Sequence, residues 1–370
     1  MPLLKDRKTN KGIYPIAQIK IKKIIIIKRK IIMKQIIKTI IVTVALFAFA
    51  HTVSNIALLA QFDGGDGTEE SPYQIRNKIH FNLLTDSTNM PITPNWSSGK
   101  YFILTDNITD TVRTIIGNIS SYNNVSFQGN FNGNGFKIVL GISVQSNNVG
   151  LFGMLGNNSS ISNVAVEGYV KGLDRVGGIA GYTESYNCNI ENCINNAKIS
   201  GRRYTSGIIG YNVEGNITNC TNTGEISSII DRVGGIAGIH NGGTMKNCRN
   251  SGRISGESFV GGLSGRLYND GKIINCINIG SVKGNYLVGG ISTSADEGPN
   301  IEISNCVNSG LIIGNDRVGG ILGYISSGTI SNCINIGTVK GNIKTGCIVG
   351  EKAGGTVTNC HYDMQMCGEE

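Results

Sequence analysis

The sequence predicts an all-β chain: a parallel β-helix (β-solenoid) of about seven to eight three-stranded rungs behind an N-terminal β cap. Three observations lead there. Seven Asn-Cys dipeptides, from Asn192-Cys193 to Asn359-Cys360, recur at cysteine intervals of 27, 28, 28, 30, 27 and 27 residues. A second signature keeps step with them. Val176-Gly177-Gly178-Ile179-Ala180-Gly181 returns at 233–238, 260–265, 288–293 and 318–323, with weaker copies at 205–210 and 345–350. Third, most ladder cysteines open a Cys-x-Asn-x-(Gly/Ala)-x-(Ile/Val) run, as in Cys276, Asn278, Gly280 and Val282. A period of two marks extended strand with alternate side chains on one face.

Each repeat thus carries three short strands: one after the cysteine, one in Val-Gly-Gly-Ile, and one before Asn-Cys, as in Thr329-Ile330-Ser331. Stacked coils place like residues above like at about 4.8 Å. No repeat folds alone, since ordering costs ~1.5 kcal/mol per residue while each buried Ile or Val returns only ~1.5–3 kcal/mol. The asparagines Asn195, Asn222, Asn250, Asn278, Asn308 and Asn335 form one column, in which each amide can donate to one neighbour and accept from the other.

Seven of the ten cysteines form a second column: Cys193, Cys220, Cys248, Cys276, Cys306, Cys333 and Cys360. Parallel side chains in successive rungs point the same way, so the torsion of a disulfide is not met, and buried thiols acting as small hydrophobes are expected. Cys188, Cys347 and Cys367 lie off the column, and a Cys347–Cys367 bond stays open. Zinc sites need clustered ligands; there is no Cys-x-x-Cys, and His51, His80, His240 and His361 are scattered. No metal and no cofactor is expected.

Residues 1–32, rich in Lys and Ile, read as a non-native upstream extension. From Met33, a basic stretch precedes the apolar run from Thr39 to Ala50, the pattern of a signal peptide. Residues 33–60 are therefore a signal peptide, cut after Ala50 or Ala60, or an uncleaved anchor, since 39–60 could almost span a bilayer. Residues 1–50 hold 12 Lys/Arg and one acid, so a net charge of +8 for the whole chain leaves 8 − 11 = −3 for the remainder. No basic stripe remains to neutralise phosphates, which excludes nucleic acid as a partner.

Residues 61–148 form the cap and the way into the coil, 149–365 the solenoid and 366–370 a tail. Asp63-Gly64-Gly65-Asp66-Gly67 is read as a Gly-rich turn rather than a calcium loop. Gly133-Asn134-Gly135 is no phosphate loop, because no amphipathic helix follows it.

Gly150-Leu151-Phe152-Gly153 and Gly262-Leu263-Ser264-Gly265 resemble the GLUG motif. With the Val-Gly-Gly-Ile and Asn-Cys repeats, they make residues 61–365 similar to bacterial extracellular GLUG-repeat proteins. Gly64 to Thr68, Pro72-Tyr73-Gln74-Ile75 and Phe131 to Gly135 resemble the segment that opens such arrays. The resemblance implies a secreted or cell-surface protein, adhesin-like in some members. These repeats also accompany immunoglobulin A-specific metallopeptidases, whose His-Glu-x-x-His motif is absent here. Two departures stand out: Thr293 in place of a motif glycine, and a longer repeat around Asp296-Glu297-Gly298-Pro299-Asn300.

Parallel β-helices also include polysaccharide lyases and hydrolases, which need carboxylates close together. The recurring acids Asp174, Asp231 and Asp316, each followed by Arg-Val, read instead as exposed corner salt bridges. Tyr182, Tyr211 and Tyr324 follow the motif glycine and form a candidate glycan-binding stripe, with corner covering as the plainer reading. The expected function is an adhesive or structural module without catalysis, monomeric, secreted or surface-exposed. Its partner would be an extracellular glycan or a host or matrix surface, with membrane contact only through an uncleaved leader. The alternative is a carbohydrate-active enzyme on the same fold.

Overall fold

Alternation fixes which residues face inward. In the computed structural model, the middle residue of each strand before Asn-Cys enters the core: Ile190 pairs with Ile217, then Met245, Ile273, Ile303, Ile330 and Val357. All these strands are parallel and belong to one eleven-stranded sheet. The structure describes residues 26, 28–30, 32–43, 62–90, 95–117, 119–120, 123–184 and 187–366. Residues 1–60 and 61–370 are separate compact units. In the first, residues 32–43 are helical, and the cleavage sites expected at Ala50 and Ala60 lie outside the described residues. Among the described residues no helix is long and apolar enough to cross a membrane.

The second unit is an all-β parallel solenoid whose coil alternates among three sheets. Eleven strands in the first sheet mean about ten turns, more than the seven or eight rungs expected. The difference lies in residues 61–148. Tyr73–Ile75, Tyr101–Leu104 and Asn130–Asn132 are the first three strands of that sheet, so the expected β cap is itself largely solenoid. These rungs lack Asn-Cys, but Tyr73, Phe102 and Phe131 occupy the inward column that Ile161 continues. In the first coil a helix, Lys78–Thr88, stands where later coils have strands. The Asn77 side chain caps it by accepting from the Ile79 and His80 amides, and it buries Phe81 and Leu84.

The inner asparagines form a continuous ladder. Nδ2 of Asn195 donates to Oδ1 of Asn222 at 2.7 Å, and the same bond joins Asn222 to Asn250, Asn250 to Asn278, Asn278 to Asn308 and Asn308 to Asn335 at 2.7–2.8 Å. Each amide also donates to the carbonyl two residues on, as from Asn278 to Gly280 at 3.0 Å. All six side chains are fully buried. The ladder explains why glycines recur beside it. A Cβ on Gly262 would lie 2.5 Å from Asn278 Cγ and 2.0 Å from the Gly290 carbonyl; one on Gly280 would lie 2.7 Å from Asn250 Nδ2.

The Asn of each Asn-Cys pair has a different task. Asn192, Asn219, Asn247, Asn275, Asn305, Asn332 and Asn359 all turn the chain in the left-handed region, at φ between 49° and 56°. Asn tolerates that conformation better than other residues with a Cβ. The following cysteine then points inward as a free thiol; Cys276 Sγ donates to the Ile274 carbonyl at 3.2 Å. Burial pushes the Cys220, Cys248 and Cys306 thiols well above their ordinary value, which keeps them protonated and unreactive. Off the column, Cys188 is buried and bonded to the Gly156 carbonyl at 3.1 Å. Cys347 is disulfide-bonded, and Cys367 lies outside the described residues.

Two stability tests follow from these columns. Asn278→Leu leaves one Asn250 Nδ2–H without its acceptor and strips the Asn278 donor from Asn308 Oδ1 and the Gly280 carbonyl, and at ~1–3 kcal/mol for an orphaned buried group it should lower the melting temperature clearly, whereas Lys283→Ala on the exposed side should not. Equal melting temperatures would contradict a stabilising role for the ladder. Buried His240 accepts at Nδ1 from Asn212 Nδ2 (3.1 Å) and donates from Nε2 to the Lys272 carbonyl (3.2 Å). Burial brings it down from 6.5 to about 4. The neutral ring's contribution, ~3 kcal/mol at ~1.4 kcal/mol per unit, is complete above pH 6.5 and is lost as pH falls toward 4. Melting temperature should therefore drop from pH 6.5 to 5, and His240→Gln should flatten that slope.

Candidate functional site

A second corner, inside the strands that run from Asp to Gly in the Val-Gly-Gly signature, also turns through the left-handed region. Its residues are Arg175, Tyr204, Arg232, Phe259, Leu287, Arg317 and Lys344, with φ from 50° to 58°. The flanking register stacks them on successive rungs, as Val176 pairs with Thr205, then Val233, Val260, Val288, Val318 and Thr345. For a bulky residue this conformation costs about 1–2 kcal/mol. The Asn-Cys corner makes a similar turn with asparagine on every rung, so turning alone does not require arginines and aromatics here.

Their side chains project beside the eight-stranded sheet, onto a column of outward residues. That column runs Met154, Tyr182, Tyr211, Ile239, Arg266, Ser294, Tyr324 and Glu351. Tyr182 and Tyr211 are adjacent and pack edge to face at 5.7 Å. Tyr324 shares their column but stands apart, with Ile239, Arg266 and Ser294 between. The three tyrosines therefore make two aromatic stations, not one stripe.

Arginines tie the corner to the column. The Arg175 guanidinium lies 4.6 Å from the Tyr182 ring and 5.7 Å from Tyr211. Arg232 sits between Tyr204 and Phe259, at 5.5 and 5.0 Å, and Arg317 between Tyr286 and Tyr324, at 5.0 and 5.9 Å. Arg266 covers Tyr268 at 4.8 Å, and the Tyr211 and Tyr268 hydroxyls bond to each other. Such contacts are worth ~0.5–2 kcal/mol each.

Two of the three expected Asp-Arg pairs form, Asp231 with Arg232 at 2.6 Å and Asp316 with Arg317 at 3.7 Å, but they are largely buried rather than exposed. Asp174 binds Arg202 one rung on, at 2.6 and 2.9 Å, leaving Arg175 to the tyrosines. The Asp231 and Asp316 side chains are only 16% and 24% exposed. Arg317 bonds to Glu351 and to the Tyr286 hydroxyl. Register across rungs, invisible in one repeat, makes these assignments. The signal was nevertheless present: the residue before each Val-Gly-Gly or its weaker copy is Arg, Tyr, Phe, Leu or Lys.

Arg266, Phe259, Tyr286, Leu287, Ser294, Asp296, Arg317, Tyr324 and Glu351 line a groove of about 410 Å³. Arg266 binds Asp296 through two bonds of 3.1 and 3.3 Å, and Glu297 at 3.0 Å. Lys344 and Arg317 hold the Glu351 carboxyl below the usual range. The longer repeat supplies Asp296 and Glu297. Among the described residues no group of three or more His, Cys, Asp or Glu could hold a metal ion.

No protein-family model matches the chain. A "Putative Gly-rich membrane protein" of Evansella cellulosilytica is 29% identical over 130 residues, which are 33% of this chain and 14% of that protein. The match thus spans about a seventh of the relative's length. Among solved structures, a putative immunoglobulin A1 protease from Bacteroides ovatus superposes with a TM-score of 0.51 at 21% identity, covering 82% of this chain and 87% of that one. At that identity the likeness supports the fold alone.

The contrast between the two corners has a direct test. Asn275 is exposed and left-handed at φ 56°, so Asn275→Leu should cost about 1–2 kcal/mol in urea unfolding while the packing of the core stays intact. An unchanged midpoint would remove the argument that bulky residues at the other corner are held there against a backbone cost.

Proposed function

We propose that this protein is a secreted or cell-surface solenoid of the GLUG-repeat kind, an adhesive module that binds an extended glycan along its arginine and aromatic face. The observation that carries this reading is the corner column, where bulky residues accept an unfavourable backbone conformation on seven successive rungs beside the two tyrosine stations, Tyr182 with Tyr211 and Tyr324. Backbone strain concentrates where side-chain placement matters more than stability. Flat rings flanked by polar planar groups suit sugars, which present a C–H face and a rim of hydroxyls. Rungs at about 4.8 Å give a ribbed surface along which a polymer can lie. The leader pattern at 33–60 supports export.

The same face weighs against the hydrolase alternative. Glycoside hydrolysis needs one carboxyl held protonated as a general acid. Glu351 in the groove is pushed the other way by Lys344 and Arg317, so it is ionised at neutral pH and has no proton to give. Binding without cleavage is the chemistry this arrangement favours.

Retention of the full chain on a panel of immobilised polysaccharides, read together with any released fragments, tests this function. Retention without fragments is expected. Tyr182→Ala combined with Tyr211→Ala should weaken it about tenfold, from ~0.5–1.5 kcal/mol per aromatic contact, in a chain that still unfolds cooperatively although the lost Arg175 and Tyr268 contacts lower its melting temperature. Fragments would establish the enzyme instead, and undiminished retention by the double variant would remove that station from the binding face.

A further inference from the structure

We propose that the notch above Ser294 seats one unit of a neutral saccharide, so that the glycan bound by this face is uncharged; the inference rests on the reading of the face as a glycan-binding surface and names its ligand class. In the outward column Ser294 stands between two large side chains, Arg266 and Tyr324. A small residue between large ones leaves a gap one rung wide, between flanking residues whose backbones are about 10 Å apart. The gap opens into the groove of about 410 Å³, lined on the corner side by Leu287 of the same rung and by Phe259 and Arg317 of the rungs on either side.

The floor of the notch carries an independent sign of a ligand. Ser294 is only 1% exposed, and its hydroxyl has no hydrogen-bond partner among the described residues. Buried hydroxyls are normally paired, and a hydroxyl that both donates and accepts is suited to a sugar hydroxyl of the same dual character. The ring of Tyr324 offers a flat apolar wall for the C–H face of a pyranose.

Charge in the notch selects the class. Its cations, Arg266 and Arg317, are already held by carboxylates: Arg266 by Asp296 and Glu297, Arg317 by Glu351. An incoming uronate or sulfate would have to displace one of these pairs and meet the freed carboxylate. A neutral sugar has no such conflict, since its hydroxyls can accept from the guanidinium N–H groups and donate to the carboxylates with the pairs intact.

The test measures binding of the full chain to mannan, amylose and galactan, and to polygalacturonate and heparin as acidic counterparts. At least one neutral polymer should bind, the acidic ones should not, and affinity should change less than about twofold between 0.05 and 0.5 M salt because no ion pairs form on binding. Ser294→Leu, which fills the notch, should weaken binding at least tenfold. Tyr324→Ala removes only a half-buried wall and should do the same, which keeps the test decisive if the filled variant folds poorly. Parent-like affinity in folded Ser294→Leu or in Tyr324→Ala overturns the notch while leaving the adhesive reading in place. Binding confined to the acidic polymers overturns the neutral class. Retention of none of the five overturns this inference together with the reading beneath it.

Discussion

Every rung of this solenoid hydrogen-bonds to its neighbours through backbone groups, and that constraint governs the rest of the molecule. Parallel pairing holds residue over residue from Tyr73–Ile75 through to Thr356–Thr358. A side chain is therefore placed less by its own repeat than by the column it joins. Polar side chains survive inside because a column lets them pair with themselves: six asparagines bury their amides completely, each held by its neighbours and by a carbonyl two residues on. Glycines follow as a consequence, since the backbone at Gly262 and Gly280 passes too close to the ladder to carry a Cβ. Stability in such an array is a sum of neighbour terms, so a break in one column is felt by the rungs on either side.

The two left-handed corners show how the same constraint divides structure from function. One corner uses asparagine rung after rung, with exposed amides that bond along the column, as from Asn219 to Asn192 at 3.1 Å. The other places Arg, Tyr, Phe, Leu and Lys at nearly the same φ. The backbone solves one geometric problem twice, once with the residue that suits it and once with residues that do not. At the second corner the side chains interleave cations with rings and line a groove in which Arg266 and Arg317 are paired with Asp296, Glu297 and Glu351.

Much of the architecture was legible because period and column are properties of sequence. The Asn-Cys and Val-Gly-Gly spacing contains the coil, the inward asparagines and the inward cysteines. The first rungs were hidden because they fill the same inward positions with Tyr73, Phe102 and Phe131 and carry no Asn-Cys marker. Tyr182, Tyr211 and Tyr324 were visible as a shared position, and so were Ile239, Arg266 and Ser294, which follow the same motif on the rungs between; that Arg175 and Arg317 of the corner pack onto these rings was not. Asp231 and Arg232 were legible as a charged pair; that the guanidinium lies between Tyr204 and Phe259 was not, because those rings come from the rungs on either side.

The central claim is that the arginine and aromatic face, and not the asparagine corner, is the working surface. Amide hydrogen exchange across the chain, with and without a retained polysaccharide, addresses it directly. The account predicts slowed exchange in the eight-stranded sheet and its left-handed corner, strongest around Arg266, Ser294 and Tyr324, with the eleven-stranded sheet unchanged. Protection centred on the Asn-Cys corner or on the eleven-stranded sheet would contradict it.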